Sequence, residues 1–317
     1  MARRRPAQVH GLAVVDKPAG GTRPDGGGMP PRRLPERRGG PAGTLDPDAT
    51  GVLLVGGGNA TRLLRFLTAL GKTYTAAVVL GTSTSTLDAS GEVTGRFEMT
   101  DLTPDRVRAV VAEQLTGRIM QVPPMVSALK VDGKRLHELA REGVEIEREP
   151  RPVTIHRFDV EPTADPLVYR IEVTCSSGTY VRTLADDLGR LLGGGAHLRD
   201  LRRTACGSFT DAVAGRPDTA VLLTPAEAMR DYPTVVLDAP TVALGRNGRK
   251  LPRDGRWGGD APRAGGDPAG ELDAMYEAAG PREVKPDVVL PSDGSVGSSG
   301  SSGSSGTAGP PGTTAGE

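Results

Sequence analysis

Short apolar runs, bounded by glycine, proline and charged turns, alternate along the first 232 residues with stretches in which apolar positions recur every three or four residues. "GLAVVDKP", residues 11–18, reads as a strand ending in a charged turn. "TGVLLVGGGNATRLLRFLTALG" predicts a strand, a glycine turn and a helix with Leu63, Leu64, Leu67 and Leu70 on one side. "KTYTAAVVLG" is a further strand, followed by the polar loop "TSTSTLDASGEV". In "LTPDRVRAVVAEQLTG" the signals agree on a helix: Thr103 suits the N-cap, Pro104 the first helical position, and Val107, Val110, Val111 and Leu115 make the buried stripe. A proline-broken segment, "MQVPPMVSALKVDGKRLHELAREG", predicts a Lys-bearing strand with an Asp-Gly turn and a short helix. "VTIHRFDVEP" and "LVYRIEVTC" are strands, the second leading through Ser-Ser-Gly into the helix of "TYVRTLADDLGRLLG". "AHLRDLRRTACGSF" and "LLTPAEAMRDYP" complete a core ending near Tyr232.

The pattern divides the rest of the chain. Residues 1–8 form a basic extension, and residues 9–232 the main domain. Within it, residues 20–41 are so dense in Gly, Pro and Arg that no period survives, which predicts loop or disorder. Residues 233–292 show short strands ("TVVLDAP", "KPDVVLP") around a Gly-rich middle, suiting a small β domain. Residues 293–317 are a Gly/Ser tail with nothing apolar to bury, and therefore a flexible coil. Strands and helices mix without a βαβ rhythm, and neither GxGxxG nor a Walker-type loop is present. The expected class is α+β rather than a doubly wound nucleotide fold.

Charge and cysteines narrow the function classes. Lysine plus arginine equal aspartate plus glutamate at 39 each, but the basic residues cluster in "ARRRP", "RRLPERR" and "LRDLRRT", so a local basic face remains available to a polyanion. The two cysteines, Cys175 and Cys206, form no CxxC pair, and His137, His156 and His197 have no metal-site spacing. No apolar h-region follows the N-terminal arginines, and no run long enough for a membrane span occurs. A cytoplasmic protein with two free thiols is expected.

Asp46, in "GGPAGTLDPDATGVLLV", sits between a Gly-Thr turn and a proline, at the mouth of an apolar strand. Locally this reads as turn chemistry. Tyr74, in an apolar strand, reads locally as a half-buried core residue, and Arg182 as a partner for Asp186 one helical turn on.

"VVDKP", "AGTLDPDATGVLLV", "GKTYTAAVVLG", "VPPMVSALKVDGKRLHELAREG", "CSSGTYVRTLADDLG" and "AHLRDLRRTACGSF" together, in this order and spacing, resemble the bacterial TruB-type tRNA pseudouridine synthases, over roughly residues 9–232. The resemblance implies a pseudouridine synthase fold with a mixed, largely antiparallel central sheet. It also implies isomerisation of the T-loop uridine (uridine-55) of tRNA after base flipping, by a monomer without cofactor, metal or membrane. Asp46 matches the catalytic aspartate, Tyr74 the tyrosine packed on the target base, Arg182 the arginine paired with the carboxylate, and Leu201 the leucine closing over the pocket. Lys17, Lys130, Tyr180, Arg202 and Arg203 are expected on the RNA-binding side, the cations against phosphates. The reaction breaks the N-glycosidic bond, turns the uracil and rejoins it through C5. Asp46 adding to ribose C1′, adding to uracil C6, or assisting loss of the C2′ proton all remain open.

The sequence departs from that family between the first strand and the catalytic turn. Where relatives carry Thr-Ser-His-Asp, an amphipathic helix and Val-Gly-His-Ala-Gly, this chain reads "GGTRPDGGGMPPRRLPERRGGPAG", with Pro41 in place of the histidine. Pro41 offers neither hydrogen bond nor aromatic face. A second departure is Ser85, where an aspartate is usual. A tRNA-binding folding helper with weak or no turnover is therefore the alternative reading.

Overall fold

The computed structural model describes residues 10–20, 39–127, 130–131, 134–135 and 146–291, with backbone alone at 130–131 and 134–135. The basic extension, residues 21–38, the helix expected after Arg135, the side chain of Lys130 and the Gly/Ser tail lie outside the described residues.

A ten-stranded sheet organises the larger part of the chain. Its main path runs Leu222–Leu223, Gly11–Lys17, Thr50–Gly57, Ala196–Cys206, Lys72–Leu80, Val168–Cys175, Arg151–Pro162 and Gly117–Gln121. Neighbours on this path are antiparallel, except that Ala196–Cys206 runs parallel to Thr50–Gly57, so the sheet is mixed and largely antiparallel, as expected. The one parallel junction brings Arg202 and Arg203 beside Thr50 and Gly51 at the centre of the sheet.

Each face of the sheet carries its own apolar cluster. On one, Val78, Leu80, Ile155, Ile171 and Val173 pack with Val107, Val111 and Leu115 from the helix Pro104–Gln114, and with Leu184 and Leu188 from the helix Val181–Leu191. Thr103 caps the first of these helices, accepting from the Arg106 amide at 3.3 Å, and Pro104 opens it, as the sequence requires. The other cluster joins Leu12, Val14, Val52 and Leu54 to Leu63, Phe66 and Leu67. Here the expected helix is shorter: Gly58–Leu63 is a 3-10 turn and only Leu64–Ala69 is α-helical. Three glycines at 56–58 delay regular helix, since they carry no propensity for it.

Two further expectations change. Gly39–Pro41, read as loop, pairs as a short edge strand with residues 55–57; proline is tolerated on an edge. In the C-terminal part, a five-stranded sheet, ordered Thr234–Val236, Arg263–Gly266, Leu272–Ala278, Glu283–Val289 and Leu251–Pro252, is accompanied by an unexpected helix, Ala239–Arg246. Asp238 caps that helix through the Thr241 amide. This sheet has a core of its own around Trp257 and Tyr276. It also lends Ala264, Met275, Val288 and Leu290 to the cluster holding Phe66 and Leu67.

Candidate active site

The loop between strands Gly39–Pro41 and Thr50–Gly57 carries Asp46, and three anchors give that loop one conformation. The Ala42 amide donates to the Leu54 carbonyl at 2.8 Å, and the Ala49 amide closes a turn on the Asp46 carbonyl at 3.2 Å. The third anchor is Lys17, at the end of its strand: Nζ donates to the carbonyls of Pro47 and Ala49, both at 2.7 Å, and of Pro18 at 3.0 Å. Burial pushes the Lys17 ammonium below its ordinary value, with the charges of Asp48 and Asp46 opposing that shift. Lys17 is thus turned inward and positions the Asp46 loop, where a phosphate contact was expected.

Arg182 lies in the first turn of the helix Val181–Leu191 and is 4 % exposed. It reaches across to Asp46, whose side chain is 40 % exposed: Nε lies 2.8 Å from Oδ2, and Nη2 donates to Oδ1 at 3.0 Å. Two further donors go to the carbonyls of Thr86, from Nη1 at 2.8 Å, and Val126, from Nη2 at 2.9 Å. A cation at a helix N-terminus is opposed by the helix dipole, and the carboxylates facing it offset that. The local alternative, pairing with Asp186, does not occur; Asp186 pairs with Arg190 instead.

A second carboxylate, Asp88, has Oδ2 3.6 Å from Arg182 Nε. Its Oδ1 accepts from Thr86 and Ser90 hydroxyls, both at 2.6 Å, and from the Ser90 amide at 3.1 Å. Sequence reasoning passed over Asp88 as part of a polar loop. The only available signal was the density of Ser and Thr beside one acid. Gln121 was missed as well. Nearly fully buried, it accepts from the Tyr180 amide at 2.8 Å and donates to the Tyr180 carbonyl at 3.1 Å, which locks the N-cap of the Arg182 helix. Tyr180 acts here through its backbone, as the residue preceding Val181 and Arg182 in the helix.

Asp46, Asp48, Asp88, Arg182, Arg199, Asp200 and Leu201 are among the residues lining one cavity of about 400 Å³. That volume lies in the usual range for a small-ligand site, roughly 300–1,000 Å³. Leu201 is on its wall. The lining does not include Tyr74, Tyr180, Arg202 or Arg203. Among the described residues, the two non-glycine positions with positive φ, Leu87 at 62° and Asp200 at 57°, both belong to the segments that line this cavity.

Of the other expected cations, Arg202 and Arg203 are committed to the scaffold, while the Lys130 side chain lies outside the described residues. Arg203 is 2 % exposed, its Nε donating to the Val52 carbonyl at 2.6 Å, so it is not a surface phosphate ligand. Arg202 forks onto Asp16 at 3.0 and 3.2 Å and reaches Asp211 at 3.3 Å, tying two strands across the one between them. A long cation beside a central strand is satisfied more cheaply by strand carbonyls and carboxylates than by reaching for solvent.

Tyr74, on Lys72–Leu80, faces Arg203 in the sheet register. Burial pushes its phenol up to about 12, while the neighbouring Arg203 pulls the other way. At neutral pH Tyr74 is therefore a neutral phenol and not a phenolate base. Below pH 10 the group is protonated in folded and unfolded chains alike and contributes nothing to the pH dependence. From there to about 12 the unfolded chain ionises first, so stability falls as pH rises. In alkaline denaturation, Tyr74→Phe should flatten the loss of stability across that window; identical slopes for both proteins would contradict the assignment. The two cysteines are buried and free, and burial pushes the Cys175 thiol up to about 11, consistent with inert packing. Among the described residues no group of three or more His, Cys, Asp or Glu could hold a metal ion, and no helix is long and apolar enough to cross a membrane.

The model of the TruB family pseudouridylate synthase N-terminal domain matches residues 32–181, and that of the tRNA pseudouridylate synthase B C-terminal domain matches residues 182–216. The tRNA pseudouridine synthase B of Corynebacterium aurimucosum is 43% identical over 298 residues, covering 90% of this chain and 98% of its own length. That of Mycobacterium tuberculosis H37Rv is 41% identical over 296 residues, covering 89% and 96%. A crystal structure of a Cbf5-Nop10-Gar1 complex shares the fold, with a TM-score of 0.63 at 23% identity over 88% of this chain and 83% of that one. Fold and sequence together define a uridine isomerase of the pseudouridine synthase class. The chain belongs to the TruB family of tRNA pseudouridine synthases.

Proposed function

We propose that this chain converts the T-loop uridine (uridine-55) of tRNA to pseudouridine, with Asp46 as the catalytic carboxylate. The observation that carries the reading is the placement of Asp46: half-exposed in the cavity, with each oxygen held by one nitrogen of a buried arginine. A carboxylate accepts about four hydrogen bonds, so two from Arg182 leave lone pairs open to the reacting nucleotide. Arg182 fixes the rotamer of the carboxylate through both of its oxygens, which is what a nucleophile or base needs before substrate arrives.

In the reaction the N1–C1′ bond breaks, the uracil turns, C5 bonds to C1′, the C5 proton leaves and N1 takes up a proton. No redox change occurs. The loop holding Asp46 is braced by Lys17, and Leu201, on the cavity wall, closes over the base. The role of Tyr74 as a packing surface for the uracil ring rests on the family resemblance of its motif, since Tyr74 is not among the residues lining the cavity. Action on tRNA is supported by likeness to relatives named tRNA pseudouridine synthase B; the T-loop position, a monomeric state and a cytoplasmic location rest on the resemblance of the sequence motifs.

The test is tritium release from an unmodified tRNA transcript carrying [5-³H]uridine. Release of one equivalent per tRNA is expected, and Asp46→Asn should lower the rate about a thousand-fold or more. A transcript with the T-loop uridine replaced by cytidine should release nothing. Folded wild type that binds tRNA yet releases no tritium would overturn the assignment in favour of a folding helper.

A further inference from the structure

The cavity that receives RNA in the reading above is lined by more acids than bases. Asp46, Asp48, Asp88 and Asp200 face it, against Arg182 and Arg199. Arg182 is consumed by Asp46 and two carbonyls. Nearby, Lys17 is held by three carbonyls, Arg202 by two aspartates, and Arg203 is buried. A polyanion approaching such a mouth is repelled unless one accessible cation meets it. Among the described lining residues Arg199 alone can do so. Its side chain is 49 % exposed, and its partner is the carboxylate of the very next residue, Nε to Asp200 Oδ2 at 3.1 Å.

The backbone places this pair deliberately. The register between Ala196–Cys206 and Lys72–Leu80 passes from Arg199↔Ala77 to Arg202↔Thr75, so one extra residue bulges out of the strand. Asp200, in the left-handed region, sits at the turn of that bulge, and Arg199, Asp200 and Leu201 all reach the cavity. Aspartate is one of the few side chains that tolerates this conformation.

We infer that Arg199 is the phosphate contact that seats the RNA backbone beside the flipped nucleotide, and that Asp200 holds its guanidinium at the cavity mouth until a phosphate displaces it. A single contact between exposed partners is weak, whereas a phosphate offers a guanidinium two parallel, charge-assisted hydrogen bonds. The exchange therefore runs toward RNA. It makes Arg199 a specificity-determining contact for backbone position and leaves the reacting atoms to Asp46. The inference rests on substrate entering this cavity.

The test measures binding of an unmodified T-arm stem-loop RNA against KCl concentration, by fluorescence anisotropy, for wild type, Arg199→Gln, Arg199→Lys and Asp200→Asn. Tritium release is followed alongside. Arg199→Gln should weaken binding roughly three- to ten-fold and reduce the slope of log K against log salt by about 0.7, with the loss seen in KM. Arg199→Lys should restore the slope. Asp200→Asn keeps a residue suited to the left-handed backbone and should bind roughly two-fold more tightly. Wild-type affinity and slope in Arg199→Gln, with Asp46-dependent release intact, would overturn the inference and leave the proposed function standing. Weaker binding by Asp200→Asn would overturn the holding role. Wild type that neither binds nor releases tritium would remove the reading of the cavity itself, and this inference with it.

Discussion

Arg182→Lys should lower kcat for tritium release by roughly two to three orders of magnitude, the range seen when one preorganised donor is removed from an active site. Arg182 serves four acceptors on different sides: both oxygens of Asp46 and the carbonyls of Thr86 and Val126. A lysine ammonium keeps the charge but presents its donors from one point and cannot span that set. The Asp46 carboxylate would lose its second hydrogen bond and with it a fixed rotamer, and the Thr86 carbonyl would lose its partner beside the strained Leu87. Removing one member of a buried ion pair costs about 3–5 kcal/mol; Asp46 is 40 % exposed, so water takes up part of that and the expected loss is smaller. Thermal melts recorded by circular dichroism separate the two effects. Turnover within ten-fold of wild type, in a protein of unchanged melting temperature, would show that the fork on Asp46 is not what prepares it.

The second large effect is expected at Gly51→Ala. Gly51 has φ of +99°, and a Cβ there would sit 2.1 Å from the Arg203 carbonyl oxygen and 2.9 Å from its carbon. Those atoms belong to the parallel neighbour strand at the centre of the sheet, so neither a rotamer change nor a loop movement relieves the clash. Strain and overpacking together should cost about 3–5 kcal/mol, lowering the melting temperature by roughly 10 °C. Activity should fall too. Gly51 pairs with Lys17 across the other strand edge, and Lys17 carries the Pro47 and Ala49 carbonyls of the Asp46 loop. A melting temperature within about 2 °C of wild type would contradict the close approach.

Much of the scaffold was legible because its signals are local. Thr103 and Pro104 opened the helix where they stood, and Val107, Val111 and Leu115 faced the core at helical spacing. The strands around Val14, Leu54, Val78 and Ile171 were apolar runs with turn residues at both ends. The helix after Gly58 and the one at Ala239–Arg246 were less legible. In the first, glycines favour a tight turn before regular helix; in the second, a proline and a glycine within eight residues leave little helical period to see. Asp46 could be singled out only through resemblance, since its own surroundings describe an ordinary turn.

Chain order and residue type alone determined that Asp46 and Arg182 are present, each in its characteristic setting: an acid on a turn before a core strand, and an arginine at the start of a helix. They also determined that the apolar runs make an α+β fold. What only the tertiary structure decided is which way the long polar side chains turn. Arg182 chose Asp46, 136 positions away, over Asp186 on its own helix. Lys17 and Arg203 turned inward onto carbonyls, Asp88 and Gln121 joined the site, and Arg199 was left at the mouth. The physical reason is that helix and strand patterns arise from neighbours a few residues apart, whereas a flexible cation is directed by whichever buried acceptors the assembled sheet leaves unsatisfied.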